Sequence, residues 1–265
     1  MRTILLLRNN ENVQYRAPAE RRRLGARCLG TSRRPRSALA AVTFLLLALT
    51  VILPACGGPA QEVDPRAVLA ASSQAMKQIA GFHFVYEVHQ PAGVQPGSGL
   101  EIARITGDVN REGAMQASID VTMGGTPLSL SFVALDDTHY IQDPLSQKWR
   151  SVAAASSPVG TLSLSAGTIR ILDRILDPKY EGTEKKGGTK TYRISGRVAA
   201  AEVAAIAGAV DTEDEFPTEL WIGVDDHYVY QVNIHGAATP NEDPRIWRSI
   251  IVSNHNVYVE IKAPL

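Results

Sequence analysis

Cysteine is almost missing: 265 residues hold only Cys28 and Cys56. Two thiols cannot build a disulfide framework or a thiolate metal cluster. Aromatic residues are scarce at 6%, so the apolar content rests mostly on Ala, Val, Leu and Ile. Net charge is missing too, with 27 basic against 27 acidic residues. That balance hides an asymmetry: residues 1–55 hold ten Lys/Arg and two Asp/Glu, leaving 17 basic and 25 acidic residues and a net of −8. A body of that sign lacks the clustered cations of a nucleic-acid surface and of broad adhesion to anionic lipid.

Catalytic signatures are absent as well. The sequence contains no Gly-x-Ser-x-Gly elbow, no Ser-x-x-Lys, no P-loop and no dinucleotide fingerprint. Six histidines are scattered, without the His-Glu-x-x-His spacing of a zinc protease. His83 and His89 share the polar face of one expected strand, six residues apart, and read as solvated. The acidic run Asp211-Thr212-Glu213-Asp214-Glu215 lacks the alternation and glycine of a calcium loop and reads as a solvated loop. Trp149, Trp221 and Trp247 lie in or beside expected strands, where packing is their default role. Nothing here calls for a metal or another cofactor, and the chain does not read as an enzyme.

What is present begins with the one long apolar run. Arg33-Arg34-Pro35-Arg36 precedes residues 37–53, which are almost unbroken Ala, Leu, Val, Phe and Ile, and then comes Leu53-Pro54-Ala55-Cys56. A basic flank, an apolar stretch and a small-residue site make a secretory signal. The run is at the short end for a membrane span, which needs about 20 residues; an uncleaved anchor helix is the rival reading. Leu53 to Cys56 resembles a bacterial lipobox, with Pro54 departing from the commoner residues. That resemblance implies diacylglycerol on the Cys56 thiol, and two acyl chains hold a protein stably at a membrane. Gly57-Gly58-Pro59 then reads as a tether. The expected organisation is 1–55 n-region and signal, 56–63 tether, and 64–265 one domain, exported and lipid-anchored on the outer face of the cytoplasmic membrane.

Periodicity organises the rest. Asp64-Pro65 opens a helix as N-cap and first turn, with Val68, Ala71, Ala75, Met76 and Ile79 at helical spacing until Gly81. Strands are expected at 82–88, 100–109, 114–123, 127–135, 139–142 and 148–152, separated by turn residues. Residues 156–167 read as a small, polar loop. A helix is expected over 168–176, with Ile169, Leu172, Ile175 and Leu176 on one face and Pro178 ending it. Strands follow at 179–186 and 190–198, an Ala-rich helix at 199–210, and strands at 218–224, 227–234, 246–253 and 257–262. Helices do not alternate with strands, which excludes a doubly wound α/β fold. The class is α+β: a long antiparallel sheet with about three helices.

Such a sheet must curl or split to bury its apolar face. If it curls around three modest helices, a half-barrel results, with the helices across its concave face and an apolar void beneath them. A sandwich filled by its own side chains has the same strand pattern.

Several segments, in order, resemble the LppX/LprG family of bacterial envelope lipoproteins: the lipobox, MKQIAGFHFVYEV, HYIQDPLSQKWRSV, GTKTYRISGRV, LWIGVDDHYVYQVNI and NVYVEIKAPL. The likeness covers nearly all of the region after Cys56. It implies a half-barrel with an apolar cavity that takes acylated envelope lipids or glycolipids and moves or presents them. On that reading the wall comes from the alternating apolar positions Phe82, Phe84, Tyr86 and Val88; Leu128, Leu130 and Phe132; Leu220 and Ile222. The helix with Ile169, Leu172 and Ile175 is the gate. The alternative is a non-enzymatic envelope module with a filled core that holds a protein partner.

Overall fold

A computed structural model describes residues 62–93, 100–157, 164–207 and 210–264; the expected signal segment, Cys56 and most of the tether lie outside them. Helix α1, Pro65–Gln78, starts as its sequence dictates: the Asp64 carboxylate accepts the Arg66 N–H at 2.9 Å and Pro65 occupies the first turn. The chain then extends into β1, Gly81–His89. A Cβ on Gly81 would lie 2.5 Å from the Val257 carbonyl oxygen, so only glycine lets the C-terminal segment cross there.

From β1 the chain meanders outward through β2 (Leu100–Asn110), β3 (Met115–Met123), β4 (Thr126–Leu135), β5 (Thr138–Gln142) and β6 (Trp149–Ala153). Helix α2, Leu164–Arg174, follows. A second meander then runs inward through β7 (Leu176–Lys186), β8 (Thr189–Ala199), helix α3 (Ala200–Ala207), β9 (Glu215–Gly223), β10 (Val229–His235) and β11 (Trp247–Ser253). β11 pairs with β1, giving one antiparallel sheet of eleven strands among the described residues, in the order β6-β5-β4-β3-β2-β1-β11-β10-β9-β8-β7. The two ends of the domain thus meet at the centre of the sheet, and both free edges belong to the middle of the chain.

That topology corrects the last expected strand. Residues 257–262 lie outside any strand, because β1 already has a partner on each side and no edge is free where β11 ends. The segment crosses the sheet instead: the Ala80 N–H donates to Asn256 Oδ1 at 2.9 Å, and Ile261 is buried.

The second correction concerns α2. It begins four residues earlier than expected and ends at Arg174, so Leu176 belongs to β7 and is 39% exposed. Pro178 does not stop the helix. It sits at a register shift in an edge strand, beside Asp177 in the left-handed region (φ 46°), where a missing N–H costs no ladder bond.

The helices lie side by side with α2 between α1 and α3. Their buried side chains, including Leu69, Met76, Ile171, Leu172, Val203 and Ile206, join one apolar cluster with the inward positions of the strands. The helix layer therefore covers the concave face of the curved sheet.

Candidate functional site

Alternation along each strand, combined with antiparallel register, brings the inward residues into rows across the sheet. One row runs Leu130, Ile119, Ile105, Tyr86, Ile250, Val232, Leu220 and Ile194 across eight strands. Such a row is continuous apolar surface. The next row holds Leu128, Val121 and Ile102 on β4 to β2, and Val88, Arg248, Ile234 and Thr218 on β1, β11, β10 and β9.

All twelve expected wall and gate residues, Phe82, Phe84, Tyr86, Val88, Leu128, Leu130, Phe132, Ile169, Leu172, Ile175, Leu220 and Ile222, belong to this one cluster or pack against it. Their burial is uneven. Leu220, Ile222, Val229 and Val232 are fully buried, whereas Val88, Ile102, Leu128 and Leu130 are only half-buried. The helix backbones approach the strands most closely at β7, β8 and β9. Under the helices the face is sealed; along β1 to β4 its lower rows stay partly open.

Helix α2, the expected gate, buries a different face from the one expected. Leu164, Gly167, Thr168, Ile171 and Leu172, at i, i+3, i+4, i+7 and i+8, are its buried positions, and Ile169 is only half-buried beside them. Ile175 follows the helix, its N–H donating to the Ile171 carbonyl at 3.0 Å. It inserts against Gly196, where a Cβ would come within 2.6 Å of Ile175 Cγ1. Ion pairs clamp α2 on both sides: Lys77 of α1 to Asp173 at 3.1 Å, and Arg174 to Glu202 of α3 at 3.0 Å. Asp173 is held below the usual carboxylate range by the Ser73 hydroxyl, with Lys77 adding to it.

The polar members of the concave face escaped the sequence reading. Arg248 is 3% exposed. Its guanidinium donates to Glu242 Oε1 at 2.5 Å and to the Gly236 carbonyl at 3.0 Å. Glu242 Oε2 in turn accepts the Ala238 N–H at 2.6 Å, which straps the connection between β10 and β11 over that end of the sheet. Burial raises the Tyr86 phenol above its usual value, and the neighbouring Arg248 partly opposes this. The signal was available: Arg248 has the same parity as Ile250 and Val252, so it had to point inward. His139, one of the six scattered histidines, is 3% exposed and edge-on to Phe132 at 4.9 Å. Burial lowers its pKa and leaves it neutral. Its parity with Ile141 gave the same hint.

The other singled-out residues lie elsewhere. His83 pairs with Asp108 at 2.8 Å and His89 stacks on Trp247 at 3.7 Å; with Trp221 they occupy the outward positions of their strands. Residues 211–215 form an exposed acidic segment apart from half-buried Thr212, with Glu215 paired to Arg197 at 2.8 Å. A solvent-open recess of about 380 Å³ lies between α3 and Val210, Thr212 and Glu213, away from the expected wall.

Comparison with known proteins agrees with this geometry. The lipoarabinomannan carrier protein LprG of Mycobacterium tuberculosis H37Rv is 28% identical over 183 residues, covering 67% of this chain and 74% of its own length. The protein of the same name from Mycolicibacterium smegmatis is 25% identical over 213 residues, covering 76% and 88%. The crystal structure of LprF from Mycobacterium bovis superposes with a TM-score of 0.57 at 20% identity, over 76% of this chain and 96% of that one. That of LppX from M. tuberculosis gives 0.50 at 19%, over 75% and 100%. These two show the shared fold. The model of the LppX_LprAFG lipoprotein family matches residues 64–261, and the chain belongs to that family.

Proposed function

We propose that this protein is an exported envelope lipoprotein, anchored through acylated Cys56 on the outer face of the cytoplasmic membrane, that holds the acyl chains of a lipid or glycolipid against the concave face and carries or presents it. One observation supports this above the rest: a continuous apolar row crosses the concave face, and on the β1 to β4 side Leu130 at its end, with Val88, Ile102 and Leu128 of the next row, is only half-buried. The 28%-identical relatives that are named as lipoarabinomannan carriers point the same way. The proposed step is transfer of the lipid between membrane and chamber, with no bond made or broken.

The energetics favour this use. Hiding a methylene from water is worth about 0.8 kcal/mol, so a long acyl chain brings roughly 10 kcal/mol before binding costs. No charged contact is required. Ile171 and Leu172 lie sealed against the sheet, so loading requires α2 to lift. The exposed Lys77–Asp173 clamp is weak, and the Arg174 side of the other clamp is solvated, so neither locks the helix down.

The test is direct. The protein is purified from its native host, extracted with organic solvent, and the extract weighed against protein. Lipid near one equivalent supports carriage. A clean extract together with a core that takes up no fatty-acid probe favours the interaction module instead.

A further inference from the structure

We infer that the β5–β6 hairpin is a membrane-docking finger that sets the mouth of the chamber against an anionic bilayer. This rests on the carrier reading above. Leu145, at the tip, is 90% exposed, the most of any large apolar side chain among the described residues. Its exposure is enforced by a built turn. Asp143 Oδ1 accepts the N–H groups of Leu145 at 3.0 Å and Ser146 at 2.7 Å. The Gln147 N–H donates to the Asp143 carbonyl at 2.9 Å, and the Gln147 amide donates to the Pro144 carbonyl at 2.8 Å. The Gln142 amide reaches the Gln147 carbonyl at 3.0 Å. A leucine fixed outward in this way cannot fold back onto the core.

Charge around the tip departs from that of the body. Lys148, just before β6, and Arg150 within it are exposed and two residues apart; Arg150 lies on the face of inward Ile141, which stands opposite it. Half-buried Trp149 lies between them. The facing acid is Asp143, whose carboxylate is occupied by the turn amides and lies in the field of Arg150. Leucine, tryptophan, lysine and arginine together are the composition of a membrane interface. The net −8 beyond residue 55 excludes broad attraction to an anionic surface, so only a local cationic tip can face one, and orientation follows from that contrast. The position suits the role. β6 is a free edge of the sheet, and the hairpin turns just past the Phe132–Ile141 pair, on the side of half-buried Leu130 and Leu128.

The experiment uses the full chain, Cys28→Ser with Leu145→Cys, labelled with an environment-sensitive fluorophore and reconstituted in vesicles of phosphatidylcholine and phosphatidylglycerol carrying nitroxide acyl chains. Asp225→Cys, in the exposed turn at the opposite end of the strands, is the control. Quenching at position 145 and none at 225 is expected. Lys148→Glu with Arg150→Glu should lower the quenched fraction on the order of tenfold or more, since each cation near an anionic surface is worth about fivefold. An unquenched label at 145 while lipid still co-purifies overturns the finger and leaves the carrier standing. Equal quenching in pure phosphatidylcholine overturns the charge requirement. Loss of co-purified lipid with quenching intact in the double charge reversal assigns the cations to a ligand head group and overturns the docking role. Absence of lipid in the unaltered protein is the separate failure of the carrier reading.

Discussion

At the scale of single residues, Leu130 is the most informative position on the concave face. It stands opposite fully buried Ile119, yet is itself half-buried on the open half. Leu130→Trp adds bulk where space remains, so it should cost under about 1 kcal/mol of stability. It should also reduce co-purified lipid at least several-fold. Ile119→Trp is the contrast: in closed packing the added volume should cost about 1–3 kcal/mol. Unchanged loading in a folded Leu130→Trp variant removes that residue from the wall. His139 makes a second residue-scale prediction. Burial lowers its folded pKa below the ordinary 6.5. The unfolded chain therefore gains a proton as pH falls through 6.5, while the folded chain does not, and stability is lost on the acid side. In His139→Leu this loss is absent. Denaturant midpoints measured from pH 7 to pH 5 should shift steadily in favour of the variant; a constant difference would mean that His139 does not titrate on unfolding.

At the scale of elements, α2 is the part that the proposed loading requires to move, and its clamps are unequal. The Lys77–Asp173 pair is exposed on both sides, whereas Glu202 is buried and holds Arg174 at 3.0 Å with Arg170 at 3.7 Å. Glu202→Gln keeps the shape and removes the charge. The arginines stay partly solvated, so the loss of stability should be modest, about 1 kcal/mol. Uptake of a fluorescent fatty acid should quicken severalfold, because α2 lifts more readily. A slower rate, or no change, would place the entrance elsewhere. The same helix shows what the sequence could convey about elements. Its period and amphipathic character were legible, and so was every strand with an apolar-polar alternation. Its start was not, because the small, polar run around Leu164 offers several equivalent capping residues, Thr161, Ser163 and Ser165, with no apolar period to choose between them. Pro178 misled for a different reason: a proline that ends a helix and one that sits at an edge-strand bulge look alike until the pairing is known.

At the scale of the whole molecule, the alternating strands showed a curved antiparallel sheet, but not which strands would be neighbours. The pairing of β1 with β11 joins residues about 160 positions apart, such as Glu87 and Ser249, and it alone explains why residues 257–262 had no edge to join. The inward Arg248 was hidden by the same gap: its parity was visible, whereas its partner Glu242 lies in a connection with no periodicity. That same closure makes stability a global readout of loading. A ligand that binds only the folded state stabilises it by RT ln(1 + [L]/Kd), about 2.7 kcal/mol at a hundredfold excess over Kd. For a domain of this size that corresponds to a rise in Tm of roughly 5–10 °C. Delipidated protein should therefore melt lower than protein as purified, and an acylated lipid, added back, should restore the difference. Leu130→Trp should melt close to the delipidated protein in both states, since it folds but cannot load. A Tm that ignores both extraction and addition would show that no ligand occupies the concave face, whatever co-purifies with the chain.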